Sequence, residues 1–172
     1  MNFYDLVTRR ESIRNYNPDR LIKHEVLKRI ATAGQLAPSA ANRQPWRIII
    51  VSSEKMLNAI RPCYRALWFQ EAPHILIVCG DRNLSWKRSF DDYNSIETDL
   101  AIAMDHMILA AEYENIGSCW IAAFNPDILK KALNLKENEI VFALSPLGYQ
   151  KDGFVKKGHK ERKSFDDVVE FI

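Results

Sequence analysis

The stretch from Asp99 to Tyr113 reads as a helix that is apolar around most of its circumference. Leu100, Ala101, Ile102, Ala103, Met104, Met107, Ile108, Leu109, Ala110 and Ala111 leave little room for a wet face. Such a helix has to be wrapped by its own fold or pressed against a second subunit. Gly117 is placed to close it. The rest of the chain must supply a sheet or further helices to cover it.

The flanking segments supply both. Phe3 to Arg9 reads as a short opening helix. Lys23 to Leu36 is amphipathic, with Val26, Leu27, Ile30, Ala33 and Leu36 on one face and Pro38 as its stop. Arg47 to Ser52 is a strand whose unbroken Ile48-Ile49-Ile50-Val51 run suits burial on both faces. Glu54 to Ile60 is a short helix, and His74 to Cys79 a second buried strand. Arg82 to Tyr93 has no clear period and reads as a loop or a mobile helix. A third strand is expected at Ser118 to Ala123. Asn125-Pro126-Asp127 has the chemistry of a helix start, with a helix to about Leu133. Glu139 to Leu144 is a fourth strand, ended by Pro146 and Gly148. Lys151 to Lys163 is a basic arm, and Ser164 with Asp167 resembles a capping box before a last helix, Phe165 to Phe171. The pattern predicts an α+β chain of three-layer α/β type, with a small sheet and one central helix.

The 172 residues fit one domain. A net charge of +2 gives no global field toward nucleic acid, and no basic face interleaved with aromatics appears. Cys63, Cys79 and Cys119 form neither a disulfide framework nor a zinc-ligand spacing, so no metal is expected. Met1 to Arg10 has no secretory pattern and no stretch approaches a membrane span, so a cytoplasmic protein is the expectation.

Four segments carry chemistry. In Arg10-x-Ser12-x-Arg14, two guanidiniums and a hydroxyl can hold a phosphate dianion; taken alone, the segment reads first as a solvated basic turn. The Ala37 to Trp46 loop is dense in amides and stiffened by Pro38 and Pro45. It can meet the edge of a heteroaromatic ring, or simply join a helix to a strand. Gly117 to Asn125 offers small residues at a strand end, where a flat ligand can approach the backbone. Lys160 to Lys163 is a second basic cluster, which by itself reads as a solvated tail.

Together, in this order and spacing, these segments resemble the nitroreductase family of flavoproteins. The resemblance runs from Arg10 to Val169. It is carried by Arg10-x-Ser12-x-Arg14, Pro38-Ser39-x-x-Asn42-x-Gln44-Pro45-Trp46, Gly117-Ser118-Cys119-Trp120-Ile121, Pro146-Leu147-Gly148-Tyr149 and Arg162-Lys163. It implies a nitroreductase-like fold over residues 1–172, with a mainly antiparallel mixed sheet flanked by helices. The central helix would lie at a homodimer interface, and residues 151–172 would form an arm on the partner subunit. It also implies tightly held, non-covalent FMN. Arg10, Ser12, Arg14, Lys160 and Arg162 would take the phosphate end, with Glu11 pointing away. Pro38, Ser39, Ala40, Asn42 and Gln44 would face the flavin, and Ile121, Ala122 and Ala123 would lie along its ring.

The activity so implied is ping-pong transfer from NAD(P)H to a small electron-poor acceptor, a nitroaromatic or a quinone. The flavin would carry the chemistry, with no catalytic side chain and no role for His24, His74, His106 or His159. Two alternatives stay open. One is a specialised flavoprotein of the same superfamily that dehalogenates, oxidises a peptide or consumes its flavin, with Arg82 to Tyr93 setting its substrate. The other is a non-enzymatic flavin-binding or protein-interaction module.

Overall fold

Residues 75–79 are wholly enclosed, with Ile75, Leu76, Ile77, Val78 and Cys79 each at 0% exposure, and the molecule is arranged around them. The structure, a computed structural model, describes all 172 residues. Its elements are α1 (Phe3–Arg9), α2 (His24–Gln35), β1 (Trp46–Val51), α3 (Glu54–Ile60), α4 (Leu67–Gln70), β2 (His74–Asp81), α5 (Ile96–Tyr113), β3 (Gly117–Ser118), α6 (Pro126–Leu133) and β4 (Glu139–Gly148).

The strands form one sheet in the order β1-β2-β4-β3, with every named pair antiparallel. Strand periodicity sorts the side chains into two cores. Ile75, Ile77, Cys79 and Leu144 face the side covered by α3, α4 and α6. Leu76, Val78, Ala143 and Leu147 face α2 and α5. The result is the three-layer α+β architecture expected from the sequence. α5 is the central helix, with Leu100, Ala103, Met104, Met107 and Ala111 all at 0% exposure. Gly34 lets α2 reach it, since a Cβ there would sit 2.7 Å from the Met107 side chain.

Several boundaries differ from the sequence expectations. β1 is an edge strand, and its residues 48–50 are half-buried rather than enclosed. α5 is closed by Asn115, not Gly117. Asn115 takes φ 58°, the Asn115 N–H bonds the Glu112 carbonyl at 3.0 Å, and the Ile116 N–H bonds the Ala111 carbonyl at 2.8 Å. That is the Schellman arrangement, which asparagine serves nearly as well as glycine.

β3 is only two residues long, followed by an isolated bridge from Ile121 to Leu144. The interruption falls opposite Pro146, which lies inside β4 instead of ending it. Proline cannot donate to a neighbouring strand. Opposite it, the Ser145 hydroxyl takes up the Cys119 N–H at 3.0 Å and itself donates to the Pro146 carbonyl at 3.0 Å. At the C-terminus, Ser164 to Val169 makes a single turn and no helix forms. Its Phe165, Val168 and Phe171 are exposed, so no buried face rewards a helix there.

Candidate functional site

The first basic segment is extended and attached to the sheet. The Ile13 N–H donates to the Ser118 carbonyl at 2.8 Å, and Ser12 forms a parallel bridge with Ser118. Ile13 is buried at 1% exposure, so strand alternation puts Arg10, Ser12 and Arg14 together on the opposite face. The Tyr16 hydroxyl donates to the Ile13 carbonyl at 2.7 Å and pins the far end. Cys119 lies against this face. Burial pushes its thiol above the ordinary range, opposed by Arg14, Ser12 and Arg10.

The C-terminal arm brings the second basic cluster to the same place. Lys160 donates to the Val7 carbonyl of α1 at 2.6 Å. Burial and the neighbouring charges of Arg10 and Arg162 push the Lys160 ammonium below its ordinary value. Arg10, Lys160 and Arg162 therefore share one neighbourhood, although they come from opposite ends of the chain. None of Arg10, Arg14, Lys160 or Arg162 has a carboxylate within 4.0 Å. Beside them is a cleft of about 330 Å³ lined by Val7, Thr8, Gly158, Lys160 and Arg162. Glu11 falls on the Ile13 side of the alternation, has no cation within 4.0 Å and carries an Oε1 buried without a partner; its charge only partly offsets the lowering of Lys160.

The Ala37 to Trp46 loop is a built structure, not a slack connection. Ala41, Asn42 and Gln44 all adopt positive φ, at 50°, 54° and 48°. That conformation is costly for residues with a Cβ, so other bonds must hold it. The Gln44 N–H donates to Ser39 Oγ at 2.9 Å, and the Gln44 side-chain amide donates to the Asn42 carbonyl at 3.1 Å. The Ala40 N–H donates to Asp99 Oδ1 at 2.8 Å. Asn42 and Gln44 remain exposed, as do Pro38, Ala122 and Ala123, whereas Ile121 is buried.

The structure brings some of these groups together and separates others. Arg10, Ser12 and Arg14 lie along β3, and Ile121 to Ala123 follow it on the same edge. The loop enters β1 on the opposite edge. β1 begins where Trp46 pairs with Gly80, and Gly80 with Ile140, while Ser118 pairs with Leu147 at the other end of β4. Strand rise and spacing put the loop and the Ser12 segment on the order of 30 Å apart within one chain.

Sequence reasoning missed Asp99, whose only signal was an acid in the first turn of an apolar helix. It also missed Glu112, and read Lys156 only as part of the basic arm. The Lys156 ammonium donates to Glu112 and to the Arg9 carbonyl, fastening the arm to α1 and α5.

The sheet thus carries an extended cationic segment on one edge and a strained amide loop on the other, in a three-layer α+β fold. The chain belongs to the nitroreductase family: the sequence profile of that family matches residues 7–71 and 55–149. A protein of Archaeoglobus fulgidus, provisionally named NADH dehydrogenase/NAD(P)H nitroreductase, is 34% identical over 86% of this chain and 84% of its own. Iodotyrosine deiodinases are also among the relatives, that of Thermotoga neapolitana at 23% identity over 87% of this chain and 89% of its own. A solved nitroreductase family protein of Clostridium difficile 630 superposes with a TM-score of 0.91, at 29% identity, over 99% of this chain and 98% of its own. A provisionally named nitroreductase of Desulfovibrio desulfuricans, solved in complex with FMN, has a TM-score of 0.80 at 23% identity, over 98% and 96% of the two chains. No helix is long and apolar enough to cross a membrane.

Proposed function

We propose that this chain is an FMN-dependent oxidoreductase that takes hydride from NAD(P)H and reduces a small electron-poor acceptor, a nitroaromatic or a quinone. The observation that carries the reading is the convergence of Arg10, Lys160 and Arg162 on one spot without carboxylate partners. Crowded, partly desolvated cations call for a bound dianion, and a flavin phosphate is one. The residues fit the group. Arg10, Arg14, Lys160 and Arg162 neutralise its charge, and the Ser12 hydroxyl adds a donor. Ala122 and Ala123 leave the backbone open beside it, next to buried Ile121. Pro38 and Ala40 shape the wall in which Ser39, Asn42 and Gln44 offer donors and acceptors to a ring edge. Bound FMN supplies the redox chemistry, accepting hydride from the nicotinamide and returning electrons to the acceptor. Donor and acceptor then occupy the same ground in turn, which gives ping-pong kinetics.

The separation of loop and phosphate segment exceeds the reach of a three-ring system on a five-carbon chain. One flavin therefore meets the phosphate segment of one copy and the loop of another, in a homodimer. A groove of about 500 Å³ between α1, α2 and α5, with Phe3, Leu36, Leu109 and Tyr113 on its walls, supports pairing on that side. The arm as far as Arg162 lies beside its own α1. Residues 163–172, exposed throughout, are the part we assign to the partner.

The purified protein is expected to be yellow and dimeric, to bleach anaerobically with NADH or NADPH, and to recolour with a quinone. Arg10→Ala with Arg162→Ala should abolish FMN retention. A colourless protein that takes up no added FMN rejects the reading. The deiodinase relatives favour a second reading, reductive dehalogenation of a halogenated phenol. Release of iodide from iodotyrosine by the reduced protein, with no turnover of quinone, selects it.

A further inference from the structure

Ser95 and Asp99 form a hub with more partners than a helix start needs. Asp99 is 1% exposed and has no cationic partner within 4.0 Å. A bare buried carboxylate is costly. Here it is held by the Ala40 N–H at 2.8 Å, by the Ser95 hydroxyl at 2.7 Å and by the positive N-terminal end of α5. Ser95, the residue before the helix, makes no side-chain cap. Its oxygen accepts the Trp86 N–H at 3.2 Å instead.

Trp86 roots the segment that the sequence left without a period. That segment is a braced hairpin: Lys87 bridges Asn94, the Arg88 N–H donates to the Tyr93 carbonyl at 3.0 Å, and the Arg88 guanidinium pairs with Asp91 and covers the Tyr93 ring at 4.6 Å. Its tip carries Phe90 at 94% exposure, and Trp86 packs edge-on against Tyr93. One chain of hydrogen bonds thus runs from the hairpin root through Ser95 and Asp99 to Ala40, at the start of the strained loop.

We propose that Asp99 is a positioning residue that fixes the Ser39 to Gln44 loop and the Trp86 to Asn94 hairpin relative to each other. The distance between a ring-facing loop and an aromatic hairpin is then set by one buried carboxylate. The acceptor class that suits such a pair of walls is a flat aromatic. The acceptor part of this inference rests on the FMN reading; the coupling of the two segments does not.

Amide hydrogen exchange on the full-length protein without added flavin tests the coupling. In Asp99→Asn, the Ala40 and Trp86 amides are expected to exchange at least tenfold faster together, while β2 keeps its protection. Faster exchange at only one of them, or at neither, overturns the proposal. Ser95→Ala leaves the carboxylate in place and decides the matter even where Asp99→Asn does not fold. Trp86 should then exchange about tenfold faster and Ala40 about threefold faster, and a wild-type rate at Ala40 overturns the coupling.

In the FMN-loaded enzyme, Ser95→Ala should raise the KM for a quinone about fivefold with kcat within twofold. An unchanged KM overturns the acceptor assignment. A wild-type protein that binds no FMN instead rejects the flavin reading and leaves the exchange result standing.

Discussion

Lys156 of the C-terminal arm donates to Glu112 of α5 at 2.6 Å, and the glutamate it meets is only 4% exposed. Arg9 also approaches that carboxylate, but only to 3.8 Å. Losing one partner of a buried ion pair leaves an uncompensated charge, which is worse than losing both. Lys156 is itself partly exposed, which reduces the effect. Lys156→Met is expected to lower the unfolding free energy by about 2 kcal/mol in urea titrations. It should also free the arm, so that trypsin cuts after Lys157 faster than in the wild type. Unchanged urea midpoint and cleavage rate would contradict this.

His74 makes the protein sensitive to mild acid. Its Nε2 accepts the Ile22 N–H at 3.1 Å, so the neutral ring carries its proton on Nδ1, 2.7 Å from Ser52 Oγ. Burial holds its pKa below the ordinary 6.5. The stabilisation is therefore present above the unfolded-state pKa of about 6.5 and is lost as pH falls toward the lower folded-state value, because only the unfolded chain takes up the proton. The urea midpoint should drop between pH 7.5 and 5.5. His74→Gln can still accept from Ile22 but does not titrate, so it should drop less.

The thiols should be silent in the folded protein. Burial pushes Cys63 up to about 11 and Cys79 up to about 12, and raises Cys119 as well. All three are buried. Since the thiolate is the reactive form, Ellman's reagent at pH 8 should detect none of them natively and all three in urea. Reaction of one thiol without denaturant would contradict the placement.

Ser39 braces the loop that ends at Gln44 from within. Its hydroxyl accepts the Gln44 N–H, and Gln44 sits at φ 48°. Ser39→Ala removes a hydrogen bond with a net value of about 1 kcal/mol, which corresponds to about fivefold weaker FMN binding by equilibrium titration. Equal affinity in the two proteins would mean that the loop does not meet the flavin.

What the sequence displays is its periodic part. α1, α2, α3, α5, α6 and β2 lie within a few residues of where apolar spacing and capping residues put them. The Asn125 cap holds, accepting the Asp127 N–H at 3.0 Å. The errors fall where tertiary partners decide the outcome. Pro146 lies inside a strand, where the Ser145 hydroxyl, not a ladder carbonyl, takes up the Cys119 N–H opposite it. Asn115 closes α5 in the role expected of glycine. The candidate site divides in the same way. Arg10, Ser12 and Arg14 are legible because an alternating pattern puts them on one face wherever the strand lies. Asp99 was not legible, because its value lies in the Ala40 amide fifty-nine residues earlier in the chain.

The bond between Ile13 and Ser118 attaches the Arg10 to Arg14 segment to the β3 edge of the sheet. On the FMN reading, an empty site is also a loose sheet edge, and filling the site seals it. A ligand that binds only the folded form stabilises it by mass action. Cells short of riboflavin would then hold less of this protein, because degradation would remove the unsealed molecules first.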